Sequence, residues 1–287
     1  MHLPVRGLLA LTAATLTVAA RPQRLPAVQS REILLATTTS TRDAGLLDSM
    51  LPEFERRSGY RVKVIAVGSG QALALGRRGD ADVVLAHAPD AERVLADSGY
   101  LLRRRLVMHN DFLFVGPATD PAGLRGLNDA LAAIRRLGAG RGVFVSRGDQ
   151  SGTHQLERRL WRDAGLEPPP PGGGGTAWYL ESGQGMAATL QMADEKLAYT
   201  ITDRATYLAW RDRLQLLPLV EGDPRLYNVY HVMEVSPHNA PRVNVAGARA
   251  LADWLVAPET QRRIGEFGKS RFGQSLFVPD AGKVDRW

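Results

Sequence analysis

The sequence has 287 residues, 44% hydrophobic and 7% aromatic, enough for one large or two medium domains around a real core and too apolar for a disordered chain. It contains no cysteine, which excludes a disulfide framework, a cysteine-based zinc or iron–sulfur site and a thiol-linked lipid anchor. The net charge of +6 rests on 36 basic residues, of which only Lys63, Lys196, Lys269 and Lys283 are lysines; the arginines alternate with acids, and the clusters Arg77-Arg78 and Arg103-Arg104-Arg105 lack interleaved aromatics, so the pattern is a solvated surface and not a nucleic-acid interface.

Residues 1–20 read as an export signal: Arg6 precedes a weakly apolar run over 7–20, and Val18 and Ala20 are small residues suited to cleavage before Arg21. That run is too short to span a bilayer, and no second stretch reaches that length. Removing the signal, whose one charged group is Arg6, takes the net charge from +6 to +5 and is expected to leave a free periplasmic protein without a lipid anchor.

After a polar leader over 21–31, the apolar strand 33–36 ends in Thr37-Thr38-Thr39-Ser40-Thr41, and the spacing of Leu46, Leu47, Met50, Leu51 and Phe54 predicts an amphipathic helix ending near Gly59. A second strand over 61–67 closes in Gly68-Ser69-Gly70 before a helix over 71–77, and a third over 82–87 precedes a helix over 89–98. This alternation predicts βαβ units and a parallel sheet, with ligands bound beyond the carboxyl ends of its strands. The extended stretch 106–117 is expected to cross into a second lobe, built from a helix over 127–137, a strand and turn over 143–154, a helix to Ala164, a strand near Tyr179, a helix over 185–195 and a strand over 197–201. Within it, residues 168–175 are four prolines and then four glycines, an exposed and dispensable loop. Residues 226–235 return to the first lobe, whose last helices fall at 246–255 and 259–267. The expected division is a signal at 1–20, a first lobe from 31–114 and 226–287, and a second lobe over 115–225.

The chemistry concentrates in the turns. Ser146-Arg147-Gly148-Asp149-Gln150-Ser151-Gly152-Thr153-His154 follows a strand and opens a helix, so free N–H groups, two hydroxyls and the fork of Arg147 meet where anions bind. A helix capped for its own sake explains one such loop equally well. Four loops of one kind, the others being the threonine run, Gly68-Ser69-Gly70 and Gly183-Gln184-Gly185, favour an anion cage of amides, hydroxyls and helix dipoles. Enzyme readings fare worse: the six histidines show no metal-binding spacing, and neither a phosphate-binding G-x-x-x-x-G-K-[ST] loop nor a hydrolase nucleophile elbow occurs. Ser151 and His154 read as a capping pair, Asp203 as a helix N-cap ahead of a general base, His109 and Asp111 as structural hydrogen bonders, and Trp161, Trp178, Tyr179 and Trp210 as packing.

Four segments together, Ala36-Thr37-Thr38-Thr39-Ser40-Thr41, the Ser146-to-His154 loop, Trp178-Tyr179-Leu180-Glu181-Ser182-Gly183-Gln184-Gly185-Met186 and Tyr199-Thr200-Ile201-Thr202-Asp203-Arg204, closely resemble the extracytoplasmic tungstate-binding proteins of ABC importers. The resemblance runs from about Glu32 to the C-terminal helices, and the proline–glycine tract departs from it. It implies an α/β fold of the two-lobe type II periplasmic binding protein, with two crossing strands and a ligand cleft between lobes. It also implies an oxyanion site made by Thr38, Thr39, Ser40, Arg147, Ser151, Gly152 and Thr153, with Ser69 added by analogy to oxyanion-binding relatives and Gly185 after it. The expected role is capture of tungstate or molybdate for a membrane permease by a monomer without enzymatic activity, cofactor, metal beyond the bound oxyanion, or nucleic-acid partner. The rivals are a phosphate or sulfate receptor of the same fold and a periplasmic enzyme acting on phosphate esters. A donor-only cage disfavours protonated phosphate; Asp149, the one nearby acid, is expected to turn away and pair with Arg147 or backbone N–H groups.

Overall fold

The first lobe grows outward from β1 (Glu32–Thr38), whose side chains at Ile33 and from Leu35 to Thr38 are almost wholly buried. The structure, a computed structural model, describes residues 31–167 and 177–286; the export signal and the 168–175 tract lie outside the described residues. The threonine run does not simply cap the following helix. It forms a separate turn, α1 (Thr39–Asp43), and α2 (Leu46–Ser58) starts only after Gly45. α2 buries Leu46, Leu47, Met50, Leu51 and Phe54 and stops at Gly59, which adopts φ 73° and donates its N–H to the Glu55 carbonyl. Then come β2 (Arg61–Val67), α3 (Ser69–Arg78), β3 (Val83–Ala86) and α4 (Pro89–Asp97). β1 pairs in parallel with both β2 and β3, as the strand–helix alternation predicts.

The sheet is nevertheless mixed. β4 (Leu101–Gly116), longer at its start than the extended stretch predicted from sequence, feeds the second lobe: α5 (Ala130–Gly138), β5 (Phe144–Ser146), α6 (Gly152–Asp163), β6 (Tyr179–Glu181), α7 (Met186–Glu195), β7 (Thr200–Asp203), α8 (Arg204–Trp210) and β8 (Leu217–Val220). The chain returns as β9 (Tyr227–Val235), then α9 (Val245–Val256), α10 (Pro258–Glu266), α11 (Lys269–Phe272) and β10 (Val278–Pro279). Because β9 arrives from the other lobe and not through a crossover helix, it lies antiparallel to β3 and β4 and gives the order β10-β4-β9-β3-β1-β2. The two halves of β4 serve different neighbours, β9 and β10 up to Asp111 and then β7 and β8 from Phe112. β7 begins later than the predicted strand because Leu197, with φ 47° and 55% exposed, still belongs to the turn that ends α7.

One core packs around Phe114, Phe144, Trp161, Tyr179 and Tyr199 in the second lobe. Another lies between α3 and the β1–β3 region, and the third joins α2, α9 and α10 to α7 and α8 across β4. Trp161 and Tyr179 pack as expected, at 1% exposure each, whereas Trp210 lines the cleft described below. His109 and Asp111 are structural: His109 bonds Asp280 at 2.5 Å, and Asp111 takes a two-pronged pair from Arg204 that ties α8 to β4.

Candidate functional site

Four strand-to-helix turns open on one cavity of about 640 Å³. Its lining includes Thr38, Thr39, Ser69, Arg147, Ser151, Gly152, Thr153 and Gly185. Ser40 sits in α1, and its side chain lies outside the described residues.

The N-termini of α3, α6 and α7 all face this space, presenting their unpaired N–H groups and positive dipole ends. α3 and α7 are preceded by Gly68 and Gly185, which offer no side-chain cap. On α6 the Ser151 hydroxyl accepts from His154 N at 3.3 Å, which leaves the N–H groups of Gly152 and Thr153 for a ligand. From β1, Thr38 is 2% exposed and shares a hydroxyl hydrogen bond of 2.6 Å with Thr41.

The Arg147 loop is held rigidly. Ser146 Oγ donates to Glu157 Oε2 at 2.5 Å and accepts from Gly148 N at 3.2 Å. Gly148 has φ 63°, and a Cβ there would lie 2.9 Å from Glu181 Cβ, so both backbone and space demand glycine. Arg147 donates through Nη2 to Asp149, while its Nε is buried without a partner. Asp149 also accepts from Ser151 N at 3.1 Å. Burial opposes ionisation of Asp149, but the hydrogen bonds from Ser151 and the charge of Arg147 outweigh it and hold the carboxyl below its ordinary range. The acid therefore orients the arginine, as expected.

Asp149 is not the only acid nearby, because Asp203 lines the cavity itself. It caps α8, with one oxygen accepting from Thr206 N at 2.8 Å and the other from Thr206 Oγ1 at 2.7 Å. Polar residues outside the expected set also line the space, among them His87, Asn110 and Asn228. The asparagines face each other in register on β4 and β9, each 7% exposed. Asn228 Nδ2 donates to Tyr230 OH at 2.8 Å, and Asn110 Oδ1 is buried without a partner. A signal was present, since each extended crossing carries an asparagine, but only strand register brings them together.

Glu157 behind the Arg147 loop gives a testable pH dependence. Burial pushes its pKa from 4.5 to about 6, against hydrogen bonds from Ser146, Tyr179 and Trp161. The folded state thus holds the proton more tightly than the unfolded chain, and this stabilisation, complete below pH 4.5, is lost as pH rises through about 6. Between pH 4.5 and 7 the wild type is expected to lose about 2 kcal/mol relative to Glu157→Gln, read as the difference between their urea unfolding curves. Parallel curves would show that Glu157 does not titrate in this window.

A cleft between two α/β lobes joined by paired crossing strands, with donors on both rims, defines a ligand receptor of the two-lobe type II binding-protein class. The profile of the PBP superfamily domain matches residues 21–259. A tungstate-binding protein, TupA, of Peptoclostridium acidaminophilum is 45% identical over 253 residues, which are 88% of this chain and 86% of that one. The solved tungstate-binding protein TupA from Desulfovibrio alaskensis G20 superposes with a TM-score of 0.79 at 42% identity, covering 87% of this chain and 99% of its own. The structure of the tungstate ABC transporter from Geobacter sulfurreducens does so with 0.69 at 43% identity, covering 82% and 98%. The chain belongs to the PBP superfamily and, within it, to the family of the tungstate-binding proteins.

Proposed function

We propose that the protein captures tungstate, with molybdate as the alternative cargo of the same size, charge and shape, and hands it to the membrane permease of an ABC importer. The role is binding, without catalysis and without a cofactor. Among the described residues no helix is long and apolar enough to cross a membrane. The proposed working form is a periplasmic monomer.

The observation that carries this reading is Arg147. A guanidinium fixed by Asp149, with its Nε buried and unpartnered, is a charged donor awaiting an acceptor, and it lines a cavity onto which three helix N-termini open. The proposed ligand set is Thr38, Thr39, Ser69, Arg147, Ser151, Gly152, Thr153 and Gly185. Calorimetric titration with tungstate, molybdate, sulfate and phosphate tests it, and the outcome against it is a preference for phosphate or sulfate, or no binding of any of the four.

Donors on both lobes also imply closure, because a ligand that touches both rims favours the state in which they approach. Small-angle scattering should show the protein contract on adding tungstate. An unchanged radius of gyration with saturating ligand would count against a site between the lobes.

A further inference from the structure

We propose that His87 is a positioning residue of this cleft: it sets the direction of the Ser69 hydroxyl and takes up a proton when a doubly charged oxyanion enters. The inference rests on the oxyanion-receptor reading and adds to it a proton that accompanies the ligand.

His87 follows β3 and faces the opposite lobe, since a Cβ placed on Gly152 would lie 3.3 Å from its Cε1. Its ring packs on Tyr230, with centroids 4.9 Å apart and planes at 54°. Its Nε2 lies 3.3 Å from Ser69 Oγ. In the neutral tautomer with its N–H on Nδ1, Nε2 can only accept, and the Ser69 O–H turns toward the imidazole.

That polarity is wrong for an anion, because Ser69 then offers the cavity lone pairs instead of its proton. Protonation reverses it. The imidazolium donates from Nε2 to Ser69 Oγ, and the hydroxyl is released to donate to the ligand. The proton comes from solvent, and no bond between heavy atoms changes. Without ligand the neutral ring prevails at neutral pH, since burial pushes its pKa down to about 4.

The charges around the ring leave room for the ligand to decide. Glu92 on α4, which accepts from Ala88 N at 2.8 Å and also pairs with Arg104 and His231, favours the protonated ring. Asp203 at the end of β7, Arg147, which is paired with Asp149, and Arg271 on α11 line the same cavity. Tyr230 on β9 and Ser69 on α3 are neutral. A dianion bound to Ser69 sits one atom beyond the ring, where its attraction raises the histidine pKa. The sign follows from linkage: affinity is strongest at low pH, falls up to tenfold per pH unit between the free and ligand-bound pKa values of His87, and is flat above the bound value.

The test is calorimetry of the full mature chain with sodium tungstate at micromolar concentration, in buffers of different ionisation enthalpy, from pH 6 to 9. The expected result is net uptake of up to one proton per bound ion at the low end, with the Kd rising toward a plateau as pH increases. In His87→Gln, whose amide donates at every pH, uptake should vanish and the Kd should become pH-independent. Histidine-labelled wild type read by NMR gives the same answer without a variant, as a shift of the His87 ring carbons from neutral to protonated on adding tungstate. Tungstate binding with no proton uptake, or a wild-type pH slope retained in His87→Gln, would overturn the inference alone. Failure of the wild type to bind tungstate, molybdate, sulfate or phosphate would instead remove the receptor reading beneath it.

Discussion

Replacing Arg147 with alanine is expected to weaken tungstate binding by roughly 2–4 kcal/mol, about 30- to 1,000-fold, while leaving the fold intact. Two effects add. The variant loses a charge-assisted donor, the guanidinium whose buried Nε has no other acceptor. It also leaves Asp149 without its cation beside an incoming dianion, and a like charge at that range repels. Arg147→Lys should recover only part of the loss, because an ammonium restores the charge but cannot hold Asp149 and the ligand in one planar fork. Calorimetry together with thermal unfolding separates lost affinity from lost structure. An Arg147→Ala protein with wild-type affinity would show that the ligand lies elsewhere.

The Arg147 loop was legible because its meaning is local. Ser151 caps α6, Gly148 takes a positive φ, and Asp149 reaches back to the arginine, all within a few residues of chain. The threonine run and Gly68-Ser69-Gly70 were legible for the same reason, since a hydroxyl or glycine between a strand and a helix reports a backbone need. His87, Asn110 and Asn228 carry no such local signal. His87 follows the apolar strand β3, Asn110 stands between two other polar residues on β4, and Asn228 lies near the start of β9, and each reaches the cavity only because β3, β4 and β9 align as they do. The mixed sheet was hidden likewise. Alternating strands and helices predict parallel neighbours, but the direction of β9 depends on its arrival from the other lobe, a long-range choice that no window of sequence contains. Short elements such as β8, α11 and β10 have too few residues for a period to be read.

Phosphate should bind far more weakly than tungstate, on the order of 10³-fold near neutral pH. Tungstate brings four bare oxygens that donors alone can satisfy, whereas HPO₄²⁻ carries an O–H that needs an acceptor. Against a wall of N–H and O–H groups that proton both removes one charge-assisted bond and leaves a buried donor unsatisfied, which together cost several kcal/mol. Two carboxylates could rescue it, Asp203 in the cavity wall and Asp149 behind Arg147, and both are engaged. Asp149 is bound by Arg147 and Ser151 N, and Asp203 by the amide and hydroxyl of Thr206. Substituting asparagine at either position keeps a capping oxygen while removing the charge, so Asp149→Asn and Asp203→Asn should leave phosphate binding as poor as before. If the wild type instead binds phosphate as tightly as tungstate and one of these variants abolishes phosphate binding selectively, that carboxylate is the acceptor. The cage would then be built for a protonated oxyanion, and the phosphate-receptor reading would replace the tungstate one.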